Sequence, residues 1–137
     1  MHFFSINVSM AFADAVAAAK DALERQKFSI LAEIDMHHIL KKGLFVDVRP
    51  YLILSACSLP LAYRTIEADD VIGSMLLCDL VVQERKDGFV EISVVDPACT
   101  IGAINHVEMI SIAEELRLLV QNVMQDIEAA AKISHAA

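Results

Sequence analysis

A chain of 137 residues is an ordinary size for one domain, and a chain of this mass buries roughly two-thirds of its unfolded surface, enough for a core without disulfides or metal. A net charge of −8, with basic residues scattered apart from Lys41 and Lys42, would repel a phosphate backbone and excludes nucleic acid as a natural partner. Hydrophobic residues make up 56% of the chain, yet no run approaches the roughly 18 to 20 apolar residues of a spanning helix, so the surplus points to a subunit interface, not a bilayer. The opening MHFFSINVSMAFADAV lacks a basic n-region, so no secretory signal is expected. Three cysteines, an odd number, are then expected as reduced thiols in a cytoplasm. No repeat, low-complexity segment or linker divides residues 1–137, and one domain is expected.

In chain order, His2 to Val8 alternates, with Phe4, Ile6 and Val8 on one face, as in a half-buried strand. Ser9 is placed to cap a helix running to about Gln26, with Phe12, Val16, Ala19 and Leu23 at helical spacing. Phe28 to Ile34 alternates again, predicting a strand with Phe28, Ile30, Ala32 and Ile34 inward. Asp35 sits at an N-cap, Met36, Ile39 and Leu40 form a short stripe, and Gly43 suits the left-handed position after a two-turn helix. His37 and His38 are neighbours on that helix, about 100° apart, and cannot converge on one ion; solvated surface is expected for both.

Tyr51 to Cys57 is an apolar run bounded by Pro50 and by Ser58 to Pro60, the length of a strand. Pro60 fits the first turn of a short helix carrying Leu61, Ala62, Ile66 and Ala68 and ending near Asp69 and Asp70. After Gly73, Leu76 to Glu84 reads as a strand, and Asp87-Gly88 makes a hairpin with Phe89 to Val95 before Asp96-Pro97 ends it. Asn105 and Glu108 suggest a capping box. Behind it an apolar stripe from Met109 to Ile127 predicts the longest helix, with the tail from Lys132 expected to fray. The order β-α-β-(α)-β-(α)-β-β-α implies an α+β fold, a curved, mainly antiparallel sheet with helices packed on one face.

If the strands holding Cys57 and Cys78 are antiparallel neighbours, the two thiols approach at one rim of the sheet. Cys57 shares its face with Tyr51, Ile53 and Ser55 and precedes a helix N-terminus that would favour thiolate; equally, free cysteines behave as small buried hydrophobes. Cys78 shares its face with Leu76, Leu80 and Val82, where packing is the simpler reading, and Cys99 is expected to be packed. Arg64, Glu67 and Asp79 cluster in sequence around the pair. Asp69-Asp70 and Glu114-Glu115 read as solvated charge, and no phosphate loop, GxSxG, HExxH or zinc-spaced cysteine set is present.

These residues carry a family resemblance. Ala56-Cys57, Pro60-x-Ala62, Gly73, Cys78 and Asp96-Pro97, with FSILAEIDMHHILKKGL and VEISVVDPAC, resemble the bacterial and archaeal domain of unknown function 302. The resemblance implies a TATA-binding-protein-like fold and a homodimer, and it brings no established activity or cofactor. Relatives usually carry Asn where this chain has Ser58, and Pro where it has Leu77. Two functions are expected to compete. One is a cytoplasmic homodimeric module binding a small molecule or metal near Cys57, Cys78, Ser58, Arg64, Glu67 and Asp79. The other is a thiol-dependent redox or transfer enzyme with Cys57 as nucleophile, and a purely structural or interaction role remains if neither holds.

Overall fold

Strands of alternating character need a partner layer for their apolar side, and two long amphipathic helices supply it here. The computed structural model describes residues 2–75 and 77–136, with side chains described except at 73, 74 and 133–136. The elements are β1 (Phe3–Val8), α1 (Phe12–Arg25), β2 (Phe28–Asp35), α2 (Met36–Leu44), β3 (Tyr51–Ser58), α3 (Leu59–Ala68), β4 (Cys78–Glu84), β5 (Val90–Val95) and α4 (Val107–Ala136). Short 3₁₀ segments span Asp70–Met75, Pro97–Cys99 and Ile101–Ala103. The five strands form one sheet in the order β1-β5-β4-β3-β2, antiparallel at every pairing. The α+β architecture expected from the element order is thus the one observed.

One face of the sheet carries Val8, Leu54, Ala56, Leu80, Val82, Val90, Ile92 and Val94, all buried. Against it α1 places Ala15, Ala19, Ala22 and Leu23, and α4 places Met109, Ile112, Leu116, Val120, Val123 and Ile127. Each fully buried Leu, Ile or Val contributes about 1.5 to 3 kcal/mol by leaving water. The alanines let α1 approach closely, since a larger side chain at 15 or 19 would have nowhere to go. Among the described residues no helix is long and apolar enough to cross a membrane.

The helix ends depart from the expected chemistry. Ser9 does not cap α1, which starts at Phe12 with Ala11 at the cap and no side-chain bond. Asp35 does cap α2, accepting from His38 N at 3.0 Å. That helix runs through Gly43, however, and Phe45 takes the left-handed position with φ 57°. At α4 the cap is made by His106, whose Nδ1 accepts from Glu108 N at 3.1 Å, and not by Asn105. The Glu108 carboxylate, which a capping box would turn back, is taken by Arg64. The tail from Lys132 is helical as far as Ala136, and Leu76, expected in the fourth strand, lies outside the described residues.

The hairpin turn follows its signal: Gly88 has φ 84°, where only glycine is free of strain, and Asp87 accepts from Phe89 N. In β2 the alternation fails. Ile30 pairs with Ala56 but Ala32 with Ser55, so Leu31 is an extra, unpaired residue, a β-bulge. One inserted residue exchanges the faces. Phe28 and Ile30 point to the helices as expected, whereas Ala32 and Ile34 point the other way. Glu33 takes the inner side instead and meets Lys20 of α1 at 2.8 Å.

Candidate functional site

The face of the sheet turned away from α1 and α4 is built in cross-strand rows. Side chains at paired positions share a face, so Tyr51, Gln83, Glu91 and Asn7 form one row and Ile34, Ile53, Val81, Ser93 and Ser5 the next. Ala32, Ser55 and Asp79 form a third, and Ser29 pairs with Cys57 beyond it. This open face therefore runs from a polar row through an apolar one to a row of small and acidic residues.

At its β2–β3 side lies α2, the one helix with no fully buried residue. Its apolar pair Met36 and Leu40 stands one turn apart and needs a surface to cover. Together with Val48, Arg49, Tyr51 and Ile53 it lines a cleft of about 360 Å³, within the usual range for a small-molecule site. The segment behind α2 is tied down twice: the His37 ring bonds the Val48 carbonyl, and Lys41 pairs with Asp47 at 2.9 Å. Because a carbonyl only accepts, His37 Nδ1 carries the proton in that bond. His37 is accordingly half-buried and bonded, not the solvated residue expected, while His38 is exposed.

Arg49 also lines a second cleft of about 550 Å³, with Asn7, Arg85, Lys86, Asp87, Phe89 and Glu91. Here a hydrogen-bonded chain crosses the polar row. Arg49 Nε donates to Gln83 Oε1 at 3.0 Å, Gln83 Nε2 to Glu91 Oε1 at 3.4 Å, and Arg85 Nη2 to Glu91 Oε2 at 3.0 Å. The two clefts meet at Arg49. Sequence reasoning missed Arg49, Arg85 and Lys86; the available signal was the dipeptide Arg49-Pro50, which holds the arginine extended at the mouth of a strand.

The candidate residues around the cysteines divide between the layers. Ala56 pairs with Cys78, so Cys57 and Cys78 sit one rung apart on adjacent strands, but their side chains leave opposite faces of the sheet. Cys57 lies on the open face, beyond Ile53 and Ser55. Cys78 faces the helices and lines a cleft of about 210 Å³ with Asp79, Val94, Pro97 and Leu116 at the sheet end. Both thiols are free and buried. Burial pushes Cys57 upward from its ordinary value, and Cys78 is pushed up to about 12, first by burial and then by the Asp79 and Cys57 charges. The helix N-terminus does not offset this at Cys57, because α3 packs in the helix layer while the thiol points through the other face.

Ser58 pairs with Phe28 and also faces the helices. Arg64 ties α3 to α4, bonding Glu115 and, at 3.1 Å, Glu108. Those two bonds, Glu115 first, raise its pKa. It is a strut between helices and is remote from the open face, and its partner Glu115 is exposed, as expected of the pair Glu114-Glu115. Glu67 is exposed on α3. Of the six candidates, only Cys57 and Asp79 share the open face.

Cys99 is exposed, not packed, and the His2 ring reaches its sulfur at 3.3 Å. No spacing rule links residues 97 apart; the contact arises because Asp96 N bonds the His2 carbonyl and closes β1 on β5. Among the described residues no three of His, Cys, Asp and Glu gather as metal ligands would.

An antiparallel sheet with its helices gathered on one side and a single short helix on the other defines a two-layer α+β protein. Within that class, the sequence matches the model of the family described as domain of unknown function DUF302 over residues 4–127, and the chain belongs to that family. The solved structure of an uncharacterized conserved protein DUF302 from Bacillus stearothermophilus is similar, with a TM-score of 0.81 at 20% identity over 93% of this chain and 97% of the other. No curated protein matches the sequence.

Proposed function

We propose that the protein is a cytoplasmic, self-associating module that binds a small molecule on its open sheet face. The observation that carries this reading is the cleft between α2 and β3: apolar walls from Met36, Leu40, Val48, Tyr51 and Ile53, with Arg49 at one end. Pockets of this size, mostly apolar with few polar groups, are the usual small-ligand sites. Cys57 and Asp79 extend the same face, so a ligand longer than the cleft would run toward them over Ile53 and Ser55. The free thiols of Cys57 and Cys78 suit a reducing compartment. The raised thiols favour binding over thiol chemistry, since the thiolate is the nucleophile.

Self-association is assigned to the corner formed by α2 and the segment after it. There Ile39, Leu44, Phe45 and Val46 leave 47%, 66%, 86% and 43% of their surfaces in water. An apolar ring at 86% exposure on a left-handed backbone costs free energy twice, and a second copy seated on it would recover the solvent part. Sedimentation should give a dimer that Phe45→Asn converts to monomer, since Asn tolerates the backbone but lacks the ring. A wild-type monomer at all concentrations removes this half of the reading.

Ligand binding is tested by methyl NMR with 1-decanol as a neutral apolar probe. Shifts confined to Met36, Leu40, Val48 and Ile53, lost in Ile53→Asp, are expected. Shifts elsewhere, or none, reject the cleft.

A further inference from the structure

The electrostatics of the two joined clefts specify what kind of molecule they accept. The chain has five arginines. Arg25 pairs with Asp21, Arg64 with Glu108 and Glu115, Arg85 with Glu91, and Arg117 with Asp96. Arg49 alone has no carboxylate partner among the described residues; its one bond, from Nε, goes to the neutral Gln83 amide. In a protein with 19 acidic and 11 basic residues, a guanidinium that has found no carboxylate is unusual. Its two terminal nitrogens keep their N–H donors, set in the planar fork that matches a carboxylate.

Lys86, on the polar side of Arg49, likewise makes no ion pair among the described residues. Arg85, Asp87 and Glu91 complete the charged lining, three cations against two carboxylates. Glu91 is already paired with Arg85 and accepts a further hydrogen bond from the Gln83 amide. The cleft is thus mildly positive within a chain of net charge −8. That modest excess suits a single negative charge better than a phosphate dianion or a nucleotide. On the other side of Arg49 lies the apolar cleft, which has no further cation to offer.

We infer that the ligand is an amphipathic monocarboxylate, its carboxylate held by Arg49 with Lys86 behind it and its apolar body laid between α2 and β3 over Ile53. This rests on the small-molecule reading above and adds the chemical class. The anion steers toward a locally positive cleft on an acidic protein, and the desolvated tail supplies the affinity.

Decanoate and 1-decanol, equal in tail and different in head, separate the two claims by NMR titration. Decanoate is expected to bind at least about tenfold more tightly than decanol, with shifts at Arg49 Nε as well as the cleft methyls. Arg49→Met, which keeps length and apolar stem, should cut the preference for decanoate over decanol about tenfold. Arg49→Lys should fall between, retaining charge without the fork. Equal affinities for the two probes, or an Arg49→Met protein that binds decanoate as wild type does, overturn the monocarboxylate while leaving a neutral-ligand cleft standing. If neither probe shifts the cleft methyls, the small-molecule reading falls and takes this inference with it. Matching melting temperatures for the variants exclude misfolding as the cause.

Discussion

Cys57 is the residue whose reactivity divides the binding and enzymatic readings most sharply, and burial sets its expected rate. At about pH 7.5, a thiol with a pKa of 9.0 is roughly 3% thiolate, and burial raises Cys57 above that value. Only 5% of its surface is open to a reagent. Restricted access therefore slows alkylation relative to a cysteine in a short peptide, and a thiolate fraction below roughly 3% slows it further. The assay is iodoacetamide labelling over a time course, with each of the three cysteines followed by peptide mass spectrometry. Cys99, exposed beside His2, is expected to label first, and Cys57 well behind it. Cys57→Ser places a hydroxyl at a buried position and should cost about 1 kcal/mol, a few degrees in melting temperature. If Cys57 labels below pH 8 as fast as the peptide or faster, a local positive field outweighs burial, and the thiol enzyme becomes the better account.

Other expectations test the supports of the open face and the core. Cys78 is held neutral up to about pH 12 in the fold but ionises near 9.0 when unfolded; the folded pKa is the higher one, so its contribution is intact below pH 9 and is lost as pH rises. Stability should fall by about 1.4 kcal/mol per pH unit across that window, and the slope should flatten in Cys78→Ala when urea unfolding is compared at several pH values. Asp96 is buried, caps a 3₁₀ turn at Ala98 N and accepts from Arg117 at 3.1 Å. Asp96→Ala should cost about 2 kcal/mol, and a double-mutant cycle with Arg117→Ala should show positive coupling. His37→Phe removes the bond to the Val48 carbonyl. A loss of about 1 kcal/mol, with faster amide exchange in residues 45–49, is expected, and unchanged exchange means that the bond does not hold the cleft wall.

Much of the architecture was legible because it rests on periodicity and turn chemistry. The α4 stripe from Met109 to Ile127 and the Asp87-Gly88 hairpin leave few alternatives, and both are as read. The bulge at Leu31 left one faint mark: Phe28, Ile30, Ala32 and Ile34 recur at every second place, and only Leu31 interrupts the polar positions between them, which a strand with apolar residues on both faces also tolerates. At α4 the cap failed because two acceptors competed. His106 and Asn105 both offer one to α4, and Arg64, 44 residues away from Glu108, decides by drawing off the glutamate. For the cysteines, sequence placed the strands side by side, but nearness along a ladder and nearness of side chains are different quantities. A one-residue offset in register puts sulfurs on opposite faces.

Leu31 is the residue from which the open face follows. Without the extra residue, Ile34 would point at α1 and the β2 end of the open face would present Glu33. With it, Ile34 stands beside Ile53 on the open face, and Glu33 is left on the inner side to meet Lys20. Two residues after Ile34 the chain enters α2, whose Met36 and Leu40 then find an apolar floor to face, yet a helix of 9 residues is too short to cover it. The uncovered remainder is the cleft. Arg49, returning from α2 into β3, is fixed at its end by Gln83 and not by a carboxylate. Arg49 is exposed and makes no ion pair among the described residues, so a carboxylate arriving at the cleft would meet its terminal N–H fork without first displacing an internal partner.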